Sequence, residues 1–391
     1  MIGRRVAVTG LGVVAPCGIG NEAFWAGLLA TPADGERRIL DFDPSGWFGP
    51  KEARRTDRFA QLAVAAASLA LDDAGPLGVD LDRAGVLIAT GVGGLHTLEE
   101  QIVLRHEKGA KRVSPFLVPM MMPNAGAASV SMRFGWRGPC ETTVTACAAS
   151  THAIANAARL VATGTCDAVM TGGSEAAITP SGVAGFTNMT ALSSSGRSRP
   201  YDVDRDGFVI AEGAAVLVLE EWEAALARGA RIYGEVLGGA STADAHHITA
   251  PSPDGSGAVR AIEQALADAG LAPGDIRQVN GHGTSTPLND AAEAEAITKV
   301  FGSPGPPVTS TKGVTGHALG AAGALEAAAV LLSMVHGLIP PTAGLEHLDP
   351  AIGIDVVAGS PRPWDPGPAL SNSFGFGGHN GCLVIGAPEA G

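Results

Sequence analysis

"ETTVTACAASTHAIANAARL" (141–160) sets one cysteine between a run of β-branched residues and a run of small helix formers. Thr142 to Thr145 read as the end of a buried strand, because β-branched side chains suit a pleated, half-buried surface. From Ala148 onward the alanines, with Ile154, Ala158 and Val161 on one face, read as a tightly packed helix. Cys147 then stands at a strand-to-helix turn. Unpaired N–H groups and the positive end of the helix dipole favour a thiolate there. A solitary cysteine is more often a core residue, so the sharper reading needs partners from elsewhere in the chain.

On either side of this unit, strand-like and helical segments alternate. "RRVAVTG" is followed by a helix around Asp57–Ala74, the strand "AGVLIAT", the Cys147 unit and the strand "CDAVMTGG". After "AAVLVLEEWEAALARGA" a second series begins at "RIYGEVLGGAS". It continues through "GAVRAIEQALADAG", "IRQVNGHG", "PPVTSTKG" and "ALEAAAVLLSMVHG". The alternation predicts an α/β fold with largely parallel sheets in two halves of comparable content. The Gly- and Pro-rich joints at 44–50, 252–257 and 302–307 read as loops within it.

Composition narrows the functional classes. The chain has 391 residues, is 46% hydrophobic and carries a formal charge of −13, which argues against nucleic acid as a partner. No apolar run reads as a membrane span. The opening "MIGRRVAVTGLGVVAPCG" imitates an export signal, but Gly10, Gly12 and Pro16 interrupt it, and it suits a first core strand better. Five scattered cysteines without metal-ligand spacing fit a reduced, cytoplasmic protein, with no metal expected. "GLGVVA" (10–15) matches a loose dinucleotide pattern, yet no acidic residue ends a second strand at the expected distance. Basic residues bunch at Arg37–Arg38, at Lys51, Arg54, Arg55 and Arg58, and at Arg105–Arg112. Such clusters are either solvated faces or a docking patch for an acidic partner.

Three stretches offer partners for the thiol. "VNGHGTSTPLND" places His282 on a Gly/Thr/Ser turn after a short strand. "STKGVTGHALGAAGALEAAAVLL" places Lys312 five residues before His317, at the start of an Ala-rich helix. "SNSFGFGGHNGCLVI" is a glycine-rich turn carrying Phe374 and Phe376. Two histidines on glycine-bounded turns beside small hydroxyl residues point to a site more than to a core.

With "VTGLGVVAPCG", "GPKEARRTDRF", "RGPCETTVTACAAS", "RPYDVDRDGFVIAEGAAVLVLE", "HGTSTPLND", "STKGVTGHALGAAGALE" and "SNSFGFGG", the chain resembles the elongating β-ketoacyl-[acyl carrier protein] synthases over nearly its whole length. The resemblance implies a thiolase-like five-layered α-β-α-β-α fold of two pseudo-repeated halves. Residues 1–235 would carry the nucleophile, and residues 236–391 the His/Lys/His set and the Gly-Phe gate. It casts Cys147 as the acyl-accepting nucleophile and His282 and His317 as donors to an enolate. Lys312 and the buried acid Glu326 would hold this region. Backbone N–H groups of Cys147 and Phe376 would form an oxyanion hole, with Gly375, Phe376, Gly377 and Gly378 as the gate. Further implications are an acyl pocket near Met120, Met121, Met122 and Phe186, and carrier-protein docking at Lys51, Arg54, Arg55 and Arg58. No permanently bound cofactor is implied, because substrates ride on the phosphopantetheine of an acyl carrier protein. The enzyme would be a homodimer, or a heterodimer with a homologous ketosynthase or chain-length-factor subunit.

Departures from the family pattern, Gly281 for alanine, Ala215 for glycine and His379 for threonine, favour the ketosynthase of a type II polyketide pathway. The alternatives are a housekeeping fatty-acid elongation synthase and a non-extending acyltransferase using the same cysteine. A non-catalytic scaffolding subunit would dispense with Cys147.

Overall fold

The computed structural model describes residues 3–388. The first half supplies strands β1 (Val6–Ala15), β2 (Ala84–Ala89), β3 (Cys140–Glu141), β4 (Ala168–Glu175) and β5 (Gly213–Glu221). Its main helices are α1 (Arg58–Ala74), α2 (Ala125–Phe134) and α3 (Ala149–Ala162). The second half repeats the series with β6 (Gly234–Ala243), α4 (Ser256–Ala269), β7 (Gln278–Asn280) and α5 (Pro287–Phe301). It then continues through β8 (Val308–Thr309), α6 (Ala322–His336), β9 (Ala369–Gly375) and β10 (His379–Gly386).

Hydrogen bonding runs β3-β2-β4-β5-β1-β6-β10-β9-β7-β8, a palindrome in which each strand of one half has its counterpart in the other. In each half the two outer pairings are parallel and the two nearer the centre antiparallel, so the sheet is mixed and not largely parallel as the alternation suggested. The halves meet at the centre, where Ala7 pairs with Glu235 and Val8 with Gly234. Alternate side chains on the strands serve different layers, as the period of two requires. Leu217 and Leu219 of β5 face inward to α3 and α6, whereas Val216 and Val218 face outward to α1 and α2. Leu383 and Ile385 of β10 face inward, and Cys382 and Val384 outward to α4 and α5. This is the five-layered thiolase-type fold, with α3 and α6 as the shared middle layer.

One local expectation changes, and another is met. The residues before Cys147 do not end a long buried strand: β3 is a two-residue exposed edge, and 142–145 are irregular. The glycine run at 10–15 belongs to the interior of β1. A Cβ at Gly10 or Gly12 would meet the carbonyl oxygens of Ala70 and Ala66 at 2.3 and 2.0 Å, so these glycines let α1 lie against the strand. One segment, Leu319–His336, is long and apolar enough to cross a membrane, contrary to the composition reading, but 89% of it is buried inside the protein.

Candidate active site

Cys147 sits on a single 3₁₀ turn (Ala146–Ala148) that feeds α3, and Ala146 takes a left-handed conformation at φ 50°. Such strain at a non-glycine residue marks a turn held by its surroundings. His317 lies two residues before the equivalent turn, Leu319–Ala321, which feeds α6. It is pinned to the chain at Val209–Ala211 by His317 N donating to Val209 O (2.8 Å) and Ala211 N donating to His317 O (3.0 Å). His282 follows β7. The sulfur of Cys147 and the ring nitrogens of His282 and His317 all lie within 4.8 Å of one another, and His317 Nε2 is 3.1 Å from Cys147 Sγ.

Lys312 organises the His282 imidazole. Its Nζ donates to Glu326, to the His282 carbonyl oxygen (2.6 Å) and to His282 Nδ1 (3.3 Å), using all three of its hydrogens. Accepting at Nδ1 fixes the His282 tautomer with its proton on Nε2, which makes that edge a donor. The three donor atoms could suit a soft cation in spacing, but this tautomer withholds the His282 lone pair. Nδ1 of His317 makes no hydrogen bond to any described residue. Its ring is therefore free to take the thiol proton at Nε2 or, once carrying it, to donate.

Burial governs the titrations. Desolvation, followed by the charge of Lys312, lowers both histidines well below their ordinary value, so both are neutral at neutral pH. Burial likewise pushes Glu326 up to about 7, against the pull of Lys312. Cys147 is pushed up to about 11 by burial, with Lys312 and the Phe376 N–H working the other way. The expected resting thiolate is thus corrected: the helix terminus is present, but desolvation outweighs it. Alkylation of Cys147 by an uncharged reagent is expected to rise about tenfold per pH unit between roughly pH 7 and 10 without levelling off. A plateau below about pH 8 would mark a thiolate already formed.

The Gly375–Gly378 turn lies against Cys147. A Cβ on Gly375 would come within 3.0 Å of Cys147 N, and the Phe376 N–H draws the Cys147 thiol's pKa down. Gly377 and Gly378 carry φ of 80° and 70°, which a side chain would resist. Phe376 closes one wall of a cavity of about 430 Å³ that reaches Cys147, His282 and His317 and is lined also by Phe186, Phe208 and Leu319. Of the pocket residues expected, only Phe186 lines it. Met120 and Met121 are half-buried beside Gly93 and Gly94, and Met122 lines a separate groove of about 740 Å³ with Lys51 and Arg55. Among the docking residues, Lys51, Arg54 and Arg55 are exposed. Arg58 is committed elsewhere, with Nε and Nη2 bonded to Glu212 at 2.7 and 2.8 Å.

Sequence reasoning missed the supports of the His282 turn. Asp290 and Glu293, on one face of α5, take the backbone N–H groups of this loop. Glu293 accepts from His282 N and Gly283 N at 2.7 Å each, and Asp290 from Ser285 N at 3.2 Å. Their spacing of three after "HGTSTPLND" was the available signal. Gly281 also gains a reason: a Cβ there would lie 2.2 Å from the hydroxyl of Tyr201.

Another buried acid braces His317 from the far side. Glu175 accepts from Thr90 Oγ1 (3.0 Å), Gly91 N (2.6 Å) and Gly320 N (3.0 Å). Burial holds it up at about 7, so the folded protein keeps a proton that the unfolded chain releases near 4.5. Its contribution to stability is full below about pH 4.5 and lost as pH rises through about 7, on the order of 3 kcal/mol at about 1.4 per pKa unit. Glu175→Gln is expected to flatten the fall in melting temperature between about pH 5 and 8. An unchanged slope would refute the assignment.

Comparison with known proteins agrees with this geometry. Residues 3–225 match the family model "Beta-ketoacyl synthase, N-terminal domain" and residues 233–346 the model "Beta-ketoacyl synthase, C-terminal domain". The chain is 46% identical to a 3-oxoacyl-[acyl-carrier-protein] synthase 2 of Synechocystis sp., covering 98% of both chains. It is 42% identical to the protein of that name from Vibrio cholerae, covering 98% of this chain and 99% of the other. A β-ketoacyl synthase from Burkholderia phymatum superposes with a TM-score of 0.92 at 33% identity, over 99% of this chain and 100% of that one. A type II polyketide ketosynthase in complex with its acyl-carrier protein superposes at 0.90 and 32% identity, over 99% and 100%. The chain belongs to the β-ketoacyl-[acyl carrier protein] synthases, acyltransferases of the thiolase superfamily.

Proposed function

We propose that this enzyme extends fatty acyl chains on an acyl carrier protein, with Cys147 as acyl acceptor and His282 and His317 as the decarboxylating pair. The observation that carries the reading is the convergence of one sulfur and two neutral imidazoles in a cavity walled by a glycine-hinged phenylalanine. Cys147 attacks the thioester carbonyl, its proton passes through His317 Nε2 to the departing pantetheine sulfur, and acyl-Cys147 remains. A malonyl thioester then loses CO₂, and the electron pair of the broken C–C bond moves onto the thioester oxygen as an enolate. His282 through Nε2–H, and His317 in the tautomer with its proton on Nε2, donate to that charge where it develops. The enolate carbon attacks acyl-Cys147, a C–C bond forms, the C–S bond breaks, and the released Cys147 thiolate takes a proton from solvent, the one proton that the decarboxylative condensation consumes overall. N–H groups of Cys147 and Phe376 would hold the oxyanion of this step, one such donor typically contributing about 3 kcal/mol.

The preference for a polyketide pathway gives way. Relatives named 3-oxoacyl-[acyl-carrier-protein] synthase 2 reach 42–46% identity, against 32% for the polyketide ketosynthase. Gly281, one of the departures behind that preference, answers a local steric demand. The exposed Lys51, Arg54 and Arg55 supply positive charge for an acidic carrier protein. A second subunit against the β3 edge is supported by the exposed Val118, Met132 and Val144 nearby. Incubation with malonyl-carrier protein and a series of saturated acyl-carrier thioesters should give CO₂ and a β-ketoacyl product longer by two carbons. Acylated Cys147 without CO₂ or extension would leave only simple acyl transfer.

A further inference from the structure

Tyr201 is fully buried and holds a left-handed backbone at φ 64°. Its N–H donates to Asp290 Oδ2 at 2.9 Å, and its carbonyl accepts from Asp349 N at 3.0 Å, so the ring is aimed by its own main chain. The hydroxyl donates to Glu293 Oε2 at 3.1 Å, the oxygen that also receives Gly283 N. It fills the space beneath the His282 turn: side chains at Gly281 and Gly283 would place Cβ atoms 2.2 and 2.9 Å from this one oxygen. We propose that the Tyr201 hydroxyl is a positioning group for His282. It occupies the room that glycine leaves at 281 and, through Glu293, fixes the backbone from which the imidazole hangs. The proposal rests on the decarboxylating role assigned to His282 above.

The geometry makes a selective demand. At Gly281 the added Cβ clashes with the hydroxyl oxygen alone, because the ring carbon bearing it lies 3.4 Å away and Glu293 Oε1 3.3 Å away. Removing the hydroxyl should therefore make alanine tolerable. Four full-length proteins test this: wild type, Tyr201→Phe, Gly281→Ala and the double variant. Each is assayed for CO₂ release from malonyl-carrier protein, for acylation of Cys147 by an acyl-carrier thioester, and for thermal unfolding. Tyr201→Phe is expected to slow CO₂ release about three- to tenfold, the range of one lost hydrogen bond, with acylation nearly unchanged. Gly281→Ala should slow it by at least about tenfold through displacement of His282. The double variant should return to the level of Tyr201→Phe, a non-additive result. Wild-type CO₂ release in Tyr201→Phe, a parallel fall in acylation, or a double variant no better than Gly281→Ala would each overturn the proposal. Should Gly281→Ala fail to fold, the Tyr201→Phe split between the two half-reactions decides alone. A wild-type protein that releases no CO₂ would instead refute the function on which the proposal stands.

Discussion

Replacing Cys147 with alanine is expected to abolish carbon–carbon bond formation, by at least about 10⁴-fold, while CO₂ release from a malonyl-carrier thioester continues. The two outcomes separate because the groups that serve them come from different halves of the chain. The sulfur belongs to the turn before α3, whereas His282, His317 and Lys312 all lie in the second half, where Lys312 holds His282. Decarboxylation needs donors at the thioester oxygen and no acyl acceptor, and alanine leaves that donor pair standing. The side chain removed is small and the site opens to a cavity, so the fold should persist. The measurement is paired: CO₂ evolved, and the mass of the carrier-bound product. Extension by the alanine variant would remove Cys147 from the mechanism, and loss of CO₂ release in step with extension would deny the division of labour.

The second large effect concerns Lys312, of which 1% of the side chain is exposed, with its partner Glu326 at 2%. Lys312→Met should destabilise the fold by about 3–5 kcal/mol, because breaking a buried pair strands the other charge. Glu326 then survives only protonated, so the loss should deepen as pH rises above the carboxyl's value of about 7. Adding Glu326→Gln removes the stranded charge and should recover most of the stability without recovering CO₂ release. The catalytic loss has a separate origin: without the contact at Nδ1 the tautomer of His282 is no longer set, and its donor edge is lost in part of the population. Recovery of both stability and CO₂ release in the double variant would show that the pair is purely architectural.

What the sequence disclosed followed from how local each signal was. The β/α alternation and the turns bearing Cys147, His282 and His317 are written in consecutive residues, so their identity could be read directly. Their meeting in space depends on the repeat of the sheet order, which no single stretch encodes. The protonation state of Cys147 was misjudged because a helix terminus is visible in sequence and the depth of burial around a side chain is not. Arg58 looked like its basic neighbours, yet Glu212, far along the chain, claims its guanidinium. Met120–Met122 were placed by analogy in the acyl pocket, whereas the fold sets Met120 and Met121 beside Gly93 and Gly94 and turns Met122 toward another groove. The support of His282 by Tyr201 and Glu293 escaped notice because its members lie 92 residues apart and meet only through the glycine at 281.

The middle layer, finally, acts as a gauge. Alanines of α3 such as Ala155, Ala157 and Ala158 are wedged between the two halves of the sheet, with α6 alongside. Sulfur rides at the tip of α3, and the Leu319–Ala321 turn that joins His317 to α6 packs beside it, so the thickness of this layer bears on the gap across which acyl and enolate carbons must close. A methyl group added deep in that layer, remote from any reacting atom, would register as slower bond formation before it registered as unfolding.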